Sequence, residues 1–351
     1  MTNINWDIYK EEFTRRAQSI GMSEKYITEN LNYANKLFKK ELPIIYDYKH
    51  LSKLIGVHHS YFYQVTNDQE KFYRKFHIKK SNGNLRTIHE PLPTLKNIQK
   101  WLLEMLFSNI KVSKFAKAYV KEVSIKENIR FHRGQKTILK LDIKNFFPSI
   151  KSKHIYHSLI QYGYGKQLTV LITELCVINN RLPQGAPTSS ILSNIVLKTF
   201  DDQISDYCIK NKIRYTRYAD DMTFSGDFNI GVVIAHVKKN LSKLNLKLND
   251  KKTRVLRNNT RQLVTGITVN EKIQVAKPYR KNIRLEMYFI DKYGLSDHLN
   301  HNKYQGSKIS YVKSLLGKIK YCIFINPKDY EMIKYEGVLE NILEHLEKPN
   351  L

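Results

Sequence analysis

Acidic residues are scarce in this chain. Its 351 residues carry 32 Asp+Glu against 59 Lys+Arg, a formal net charge of +27. A polyanion is the expected partner, with nucleic acid ahead of a membrane surface. Long apolar runs are lacking too. No stretch approaches the length of a membrane span, and no basic run joins a long apolar helix. Cysteine is rare: Cys176, Cys208 and Cys322 lie far apart without metal-binding spacing. They are expected as buried thiols in a reducing compartment, not as a disulfide framework. The 12 histidines form no H-x-x-x-H pair flanked by acids, so a zinc site is not expected. The start, MTNINWDIYKEEF, has charges where a signal peptide needs an apolar core, and a cytoplasmic protein is expected. There is no internal repeat and no low-complexity linker. What is present, 42% hydrophobic and 26% charged residues, suits a folded chain of two or three subdomains.

Residues 1–45 show apolar positions at three- and four-residue steps, and residues 49–65 a second helical stretch broken at Gly56. The latter has the outline of a helix-turn-helix, although a simple packing pair is the commoner meaning. Residues 70–90 alternate like a hairpin, with Phe72–Ile78 and Leu85–Ile88 around a Ser81–Asn84 turn. The hairpin carries Arg74, Lys75, Lys79, Lys80 and Arg86, which would protect a solvated edge or clamp phosphates. Pro91–Phe115 reads as one amphipathic helix, and residues 152–180 as helical. Two prolines and Gly185 force an irregular loop before a helix over Ile191–Tyr207. Ile230–Leu244 reads as a helix. Gln262–Val269 reads as one strand with a bulge or close approach at Gly266. From Pro278 the chain is helical, basic and tyrosine-rich. Tyr279, Arg280, Arg284, Tyr311 and Lys313 belong to this interleaving, which combines phosphate attraction with stacking and suits RNA.

The sharpest feature is Arg214–Gly226, RYTRYADDMTFSG. Two β-prone runs flank the adjacent acids Asp220 and Asp221. An isolated Asp-Asp is more often a solvated turn. Here Thr137–Leu141 is a buried-strand candidate that delivers a third acid, Asp142, at its end. Three carboxylates on neighbouring strands would form an oxygen-ligand site for two Mg²⁺ or Mn²⁺ ions, suited to in-line phosphoryl transfer. Gln184-Gly185 would line the pocket with amide and backbone donors.

These residues carry a family resemblance. Tyr218-Ala219-Asp220-Asp221 resembles the Y-x-D-D box of reverse transcriptases. Leu182–Ser190 resembles their L-P-Q-G box, Leu141–Pro148 the first-aspartate box, and Asn84–Ile88 the fingers arginine box. Val264-Thr265-Gly266 resembles the V-T-G box of retron reverse transcriptases. Asn128–His132 resembles their N-A-x-x-H box, with Ile129 in place of alanine.

The resemblance implies an α+β, right-hand polymerase with fingers, a palm of antiparallel sheet with a catalytic hairpin, and a helical thumb. Its boundaries would be an N-terminal helical extension over 1–66, fingers over 67–136, palm over 137–276 with fingers elements in 150–190, and an RNA-binding thumb over 277–351. Asp142, Asp220 and Asp221 would be catalytic and hold the metals. Arg86, with Lys79 or Lys80, would hold the dNTP phosphates. Phe147 would screen the sugar 2′ side, and Gln184 and Gly185 would line the nucleotide pocket. Lys251 or Lys252 would help protonate pyrophosphate. Asn128, His132 and Val264–Gly266 would serve primer and RNA.

The implied activity is RNA-directed DNA synthesis on a cognate structured non-coding RNA, primed from a 2′-OH. Its product would be a branched RNA–DNA hybrid used in antiphage defence beside a separate effector protein. The alternatives are a defence or group II intron-like enzyme with different priming, and an RNA-binding scaffold on the same fold.

Overall fold

A computed structural model describes residues 5–80 and 83–347. Four helices come first: α1 (Trp6–Ser19), α2 (Glu24–Phe38), α3 (Tyr48–Ile55) and α4 (His59–Asn67). Side chains cap the first three. Asn5 accepts from Asp7 N, Ser23 from Tyr26 N and Asp47 from His50 N. Such caps are worth about 1 kcal/mol each. Leu51, Phe62 and Val65 bury α3 and α4 in the main core, as a packing pair does.

Strands β1 (Tyr73–Lys79) and β2 (Leu85–Pro91) form the expected antiparallel hairpin. Ser81 and Asn82 of its expected turn lie outside the described residues. Helix α5 (Pro93–Trp101) follows, but the single helix expected through Phe115 does not continue. A π turn over Leu102–Leu106 and a 3-10 turn over Phe107–Asn109 replace it. These turns keep Leu102, Leu106 and Phe107 all in the core, so burial overrides the helical period.

After α6 (Ile125–Arg130) come β3 (Thr137–Asp142), α7 (Phe146–Ser149), α8 (Ser152–Ile160) and α9 (Lys166–Glu174). The helical reading of 152–180 is broken at Gly163, φ 108°. Next are α10 (Ser189–Lys210), β4 (Arg214–Tyr218), β5 (Asp221–Gly226), α11 (Ile230–Lys243) and β6 (Arg254–Arg257). The four strands make one antiparallel sheet in the order β4-β5-β3-β6.

A second sheet holds β7 (Leu263–Val264), β8 (Ile267–Thr268) and β9 (Gln274–Val275). The single strand expected over Gln262–Val269 is therefore a hairpin. Thr265 and Gly266, at φ 47° and 81°, form its two-residue turn. Two successive positive φ values match the twist of a tight hairpin, which explains the glycine better than a bulge. Helices α12 (Lys277–His301, kinked at Gly294 where φ is 80°), α13 (Lys308–Ile325) and α14 (Tyr330–Glu347) complete the described residues. No described helix is long and apolar enough to cross a membrane.

Two cores meet at the larger sheet. Leu139, Leu141, Met222 and Phe224 join the first, with α10 and α11. Ile138 joins the second, with β7–β9 and the C-terminal helices. The alternation of β3 thus sends Leu139 and Leu141 to one face. It leaves Ile138, Lys140 and Asp142 on the other.

Candidate active site

The β3–β5 register sets Asp142 directly opposite Asp221. Asp220 is the second of two residues at the β4–β5 tip; the first, Ala219, has φ 58°. Backbone bonds fix both places. Ile143 N donates to Asp220 O at 3.0 Å, and Asn249 N to Asp142 O at 2.8 Å. Like charges directly opposite on one face are destabilising unless balanced. Two lysines supply the balance: Lys252 Nζ lies 2.8 Å from Asp142 Oδ2, and Lys140 Nζ lies 3.0 Å from Asp221 Oδ2. Arg254 completes the lining of a cavity of about 400 Å³ around the three acids. Burial, then the charge of Asp142, raise the Asp220 carboxyl above its ordinary range.

All three acids offer oxygen donors, the chemistry of a hard divalent cation. Among the described residues no three such side chains stand in ligating geometry, and two of the acids are engaged by the lysines. The donor set fits Mg²⁺ or Mn²⁺, with Lys140 and Lys252 supplying the positive charge. Lys251 is exposed with no described contact to the acids, so the geometry separates the two lysines the sequence left open.

The charges of Asp220 and of Arg86 on β2 both reach the Tyr119 hydroxyl, which sets the β1–β2 hairpin on the side of the acids. His89 N donates to Gln184 O at 2.8 Å, tying the Gln184-Gly185 loop to β2. Gly185 is required there: its φ is 123°, and a Cβ would stand 2.7 Å from Ile88 Cγ2. Ile88 and Arg86 alternate to the same face of β2, so Arg86 is sided with the loop. Lys79 alternates to the opposite face from Arg86, and the hairpin does not bring the two together. Phe147 is half-buried, 5.1 Å ring to ring from Phe146 and 6.5 Å from Tyr119. Tyr119 was not legible as a site residue. It is 47% exposed, has φ 60°, and its hydroxyl is raised by burial and then by the charge of Asp220. Asn194 Nδ2 holds the preceding carbonyl, Ala118 O, at 2.8 Å.

Several residues expected on the nucleic-acid face sit elsewhere. Asn128 and His132 are fully buried behind the acidic hairpin. Thr216 Oγ1 donates to Asn128 Oδ1 at 2.6 Å and so accepts from His132 Nε2 at 2.8 Å. His132 Nδ1 then accepts from Ser225 Oγ at 2.8 Å. Burial, with the nearby Arg214 charge, lowers His132 to about 3, which keeps it neutral. These side chains brace β4 and β5; they do not reach a ligand. Val264 is also core, and only Thr265-Gly266 stands at the turn.

The C-terminal region shows the same pattern. Arg280 pairs with Asp329 and Glu331, and Arg284 pairs with Glu331, joining α12 to the start of α14. Tyr311 bonds Glu286, and Lys313 lies 2.8 Å from Glu347. Tyr279 is 37% exposed against Tyr321. Arg280 and Arg284 are spent on internal ties, whereas the Lys313–Glu347 pair stays solvent-exposed. A different strip of α12 is exposed: Lys281, Leu285, Tyr288, Lys292 and Tyr293, with the Lys292 ammonium over both tyrosine rings.

An acidic hairpin on an antiparallel sheet, a basic hairpin tied to a glycine loop, and a helical C-terminal region define a right-hand polymerase fold of α+β class. Residues 78–278 match the family model described as Reverse transcriptase (RNA-dependent DNA polymerase). The chain is 31% identical over 281 residues to the retron Mx65 reverse transcriptase of Myxococcus xanthus, covering 74% of this chain and 65% of that one. It is 31% identical over 223 residues to the retron Ec86 reverse transcriptase of Escherichia coli, covering 62% and 70%. It is 30% identical over 292 residues to the retron Ec73 reverse transcriptase of Escherichia coli, covering 77% and 91%. The chain belongs to the reverse transcriptase family and, within it, to the retron reverse transcriptases.

Proposed function

We propose that this chain copies a structured RNA into DNA at the Asp142/Asp220/Asp221 cleft. The observation that carries the reading is the register of Asp142 against Asp221 with Asp220 at the tip between them. The three acids would hold two Mg²⁺ or Mn²⁺ ions, whose charge activates an attacking hydroxyl and balances the leaving pyrophosphate. Arg86 and the Gln184-Gly185 loop receive the nucleotide, with Arg86 on the triphosphate. Phe147 borders the sugar and favours deoxynucleotides. Lys252, not Lys251, stands where a proton can be given to pyrophosphate. Thr265-Gly266 borders the primer. The exposed strip Lys281, Tyr288, Lys292 and Tyr293 takes over the RNA contacts expected of Arg280, Arg284 and Tyr311, because its charges are not consumed by carboxylates.

Kinship with retron enzymes supports the finer reading: priming from a 2′-OH of a cognate non-coding RNA and a branched RNA–DNA product. A role in antiphage defence beside a separate effector protein rests on that kinship alone. The test is to sequence the nucleic acid that copurifies with the full chain. A short DNA covalently joined to one defined RNA supports the reading. Unlinked DNA, or RNA of no defined sequence, contradicts the priming.

A further inference from the structure

Two charged side chains that the proposed chemistry does not use are fully buried. Arg217 and Asp201 are each 0% exposed. Arg217 Nε donates to Asp201 Oδ1 at 2.8 Å and Nη2 to Oδ2 at 2.6 Å. Tyr215 Oη donates to the same carboxylate at 2.7 Å. One guanidinium nitrogen makes no bond to Asp201, and it points out of the pair: Arg217 Nη1 donates to Ala219 O at 3.0 Å. The main chain of Arg217 is pinned as well. Its N donates to Phe115 O at 2.8 Å, and its carbonyl accepts from Lys117 N at 2.7 Å. The guanidinium therefore runs from a rigid helix, α10, to the tip of the acidic hairpin.

The tip needs a tie. Ala219 is a non-glycine residue at φ 58°, a conformation that costs an L-residue about 1–2 kcal/mol. Asp220 follows it and faces two other carboxylates across the cleft. Strain and repulsion both favour a relaxed tip with Asp220 moved outward. Two bonds on successive carbonyls oppose this: Arg217 on Ala219 O, and Ile143 N on Asp220 O at 3.0 Å. The Ile143 bond belongs to β3, which moves with Asp142. Among the described residues, only the Arg217 hydrogen bond refers the tip to α10.

We propose that Arg217, oriented by Asp201, is a positioning residue that fixes the Ala219 carbonyl and so holds Asp220 in place for cation binding. The inference rests on the role given above to Asp220. A buried ion pair kept only for stability would not need a further bond to the tip. It would also be replaceable by apolar side chains of similar size, a change that is often neutral or stabilising.

That difference supplies the test. The triple variant Asp201→Leu, Tyr215→Phe, Arg217→Met replaces the whole buried polar set, so no side-chain partner is left unpaired and Ala219 O alone loses its donor. Arg217→Lys keeps the charge but cannot reach both Asp201 and Ala219 O, and it decides the matter should the triple variant fail to fold. The full chain is measured for melting temperature, for binding of Mn²⁺ alone by electron paramagnetic resonance, and for kcat and KM of dNTP incorporation. Loss of a residue that orients metal ligands typically lowers metal affinity or activity by about 10- to 100-fold. The expected result is a folded variant with Mn²⁺ affinity and kcat lowered in that range and KM for dNTP nearly unchanged. A folded variant with wild-type Mn²⁺ affinity and kcat overturns the proposal. A wild-type chain that neither binds Mn²⁺ nor incorporates dNTP overturns the proposed function instead, and the control arm shows which has failed.

Discussion

Replacing Gly185 by alanine probes the link between the basic hairpin and the nucleotide loop. The added Cβ would stand 2.7 Å from Ile88 Cγ2 and 3.0 Å from His89 O, and the residue would have to keep φ 123°. The Ile88 methyl can rotate aside, but the His89 carbonyl is backbone in a paired strand. The loop must give way or hold a strained conformation worth about 1–3 kcal/mol. Gly185 is exposed, so no core is lost and the fold persists. If only the native loop position receives the nucleotide, that energy appears as weaker binding, about 5- to 150-fold in KM for dNTP. The change should leave kcat nearly intact, as loss of uniform binding does. The assay is steady-state incorporation of one nucleotide on a primed RNA template. Gly21→Ala is the control, because Gly21 has φ 73° with nothing within 4 Å of a Cβ. It should lower stability and leave KM alone. A folded Gly185→Ala enzyme with wild-type KM would refute the reasoning.

Other expectations follow from the same contacts. His132 is held neutral at about 3, below its ordinary value of 6.5, so its contribution is complete above pH 6.5 and is lost as pH falls towards 3. The loss is on the order of 5 kcal/mol at most, about 2 of it by pH 5. His132→Gln should flatten this acid limb in urea titrations, and parallel profiles for the two proteins would count against it. Lys252→Met should slow incorporation by about 100-fold or more, the usual size of a proton-transfer effect, while Lys251→Met changes little; the reverse order would contradict the geometry. Lys281→Ala with Lys292→Ala should reduce the slope of log affinity for duplex against log salt by about 0.9 per lysine. Arg284→Ala should lower the melting temperature and leave that slope unchanged. A slope altered by Arg284→Ala alone would return that residue to the RNA face.

The acidic hairpin was legible because strand alternation and an acidic tip are local properties. Asp142 was legible for the same reason, as the end of an apolar run. The register that sets it opposite Asp221 was not, since no local pattern states which strands pair. The long helix expected over Pro91–Phe115 failed where two consecutive turns had to bury Leu102, Leu106 and Phe107 together. The ion pairs of the C-terminal cations were not legible because composition cannot say which charges meet. Arg284 finds Glu331 across 47 residues of chain. Asn128 and His132 were assigned to RNA by resemblance, yet both are fully buried, with Asn128 Oδ1 bonded to Thr216 and the His132 ring bonded to Thr216 and Ser225. Asp201 did leave a trace. It falls on the buried stripe of α10 with Leu197, Ile204 and Cys208, where an unpaired acid would be costly. Arg217, on the same face of β4 as buried Tyr215, is the partner that stripe required.

The central claim is that the three acids perform RNA-templated DNA synthesis. The most direct test compares the wild-type chain with Asp220→Ala/Asp221→Ala for Mg²⁺-dependent incorporation of labelled dNTP on RNA, after confirming equal folding. The account predicts incorporation by the wild type that is abolished by chelation, and none above background in the double variant. Full incorporation by the double variant would contradict it.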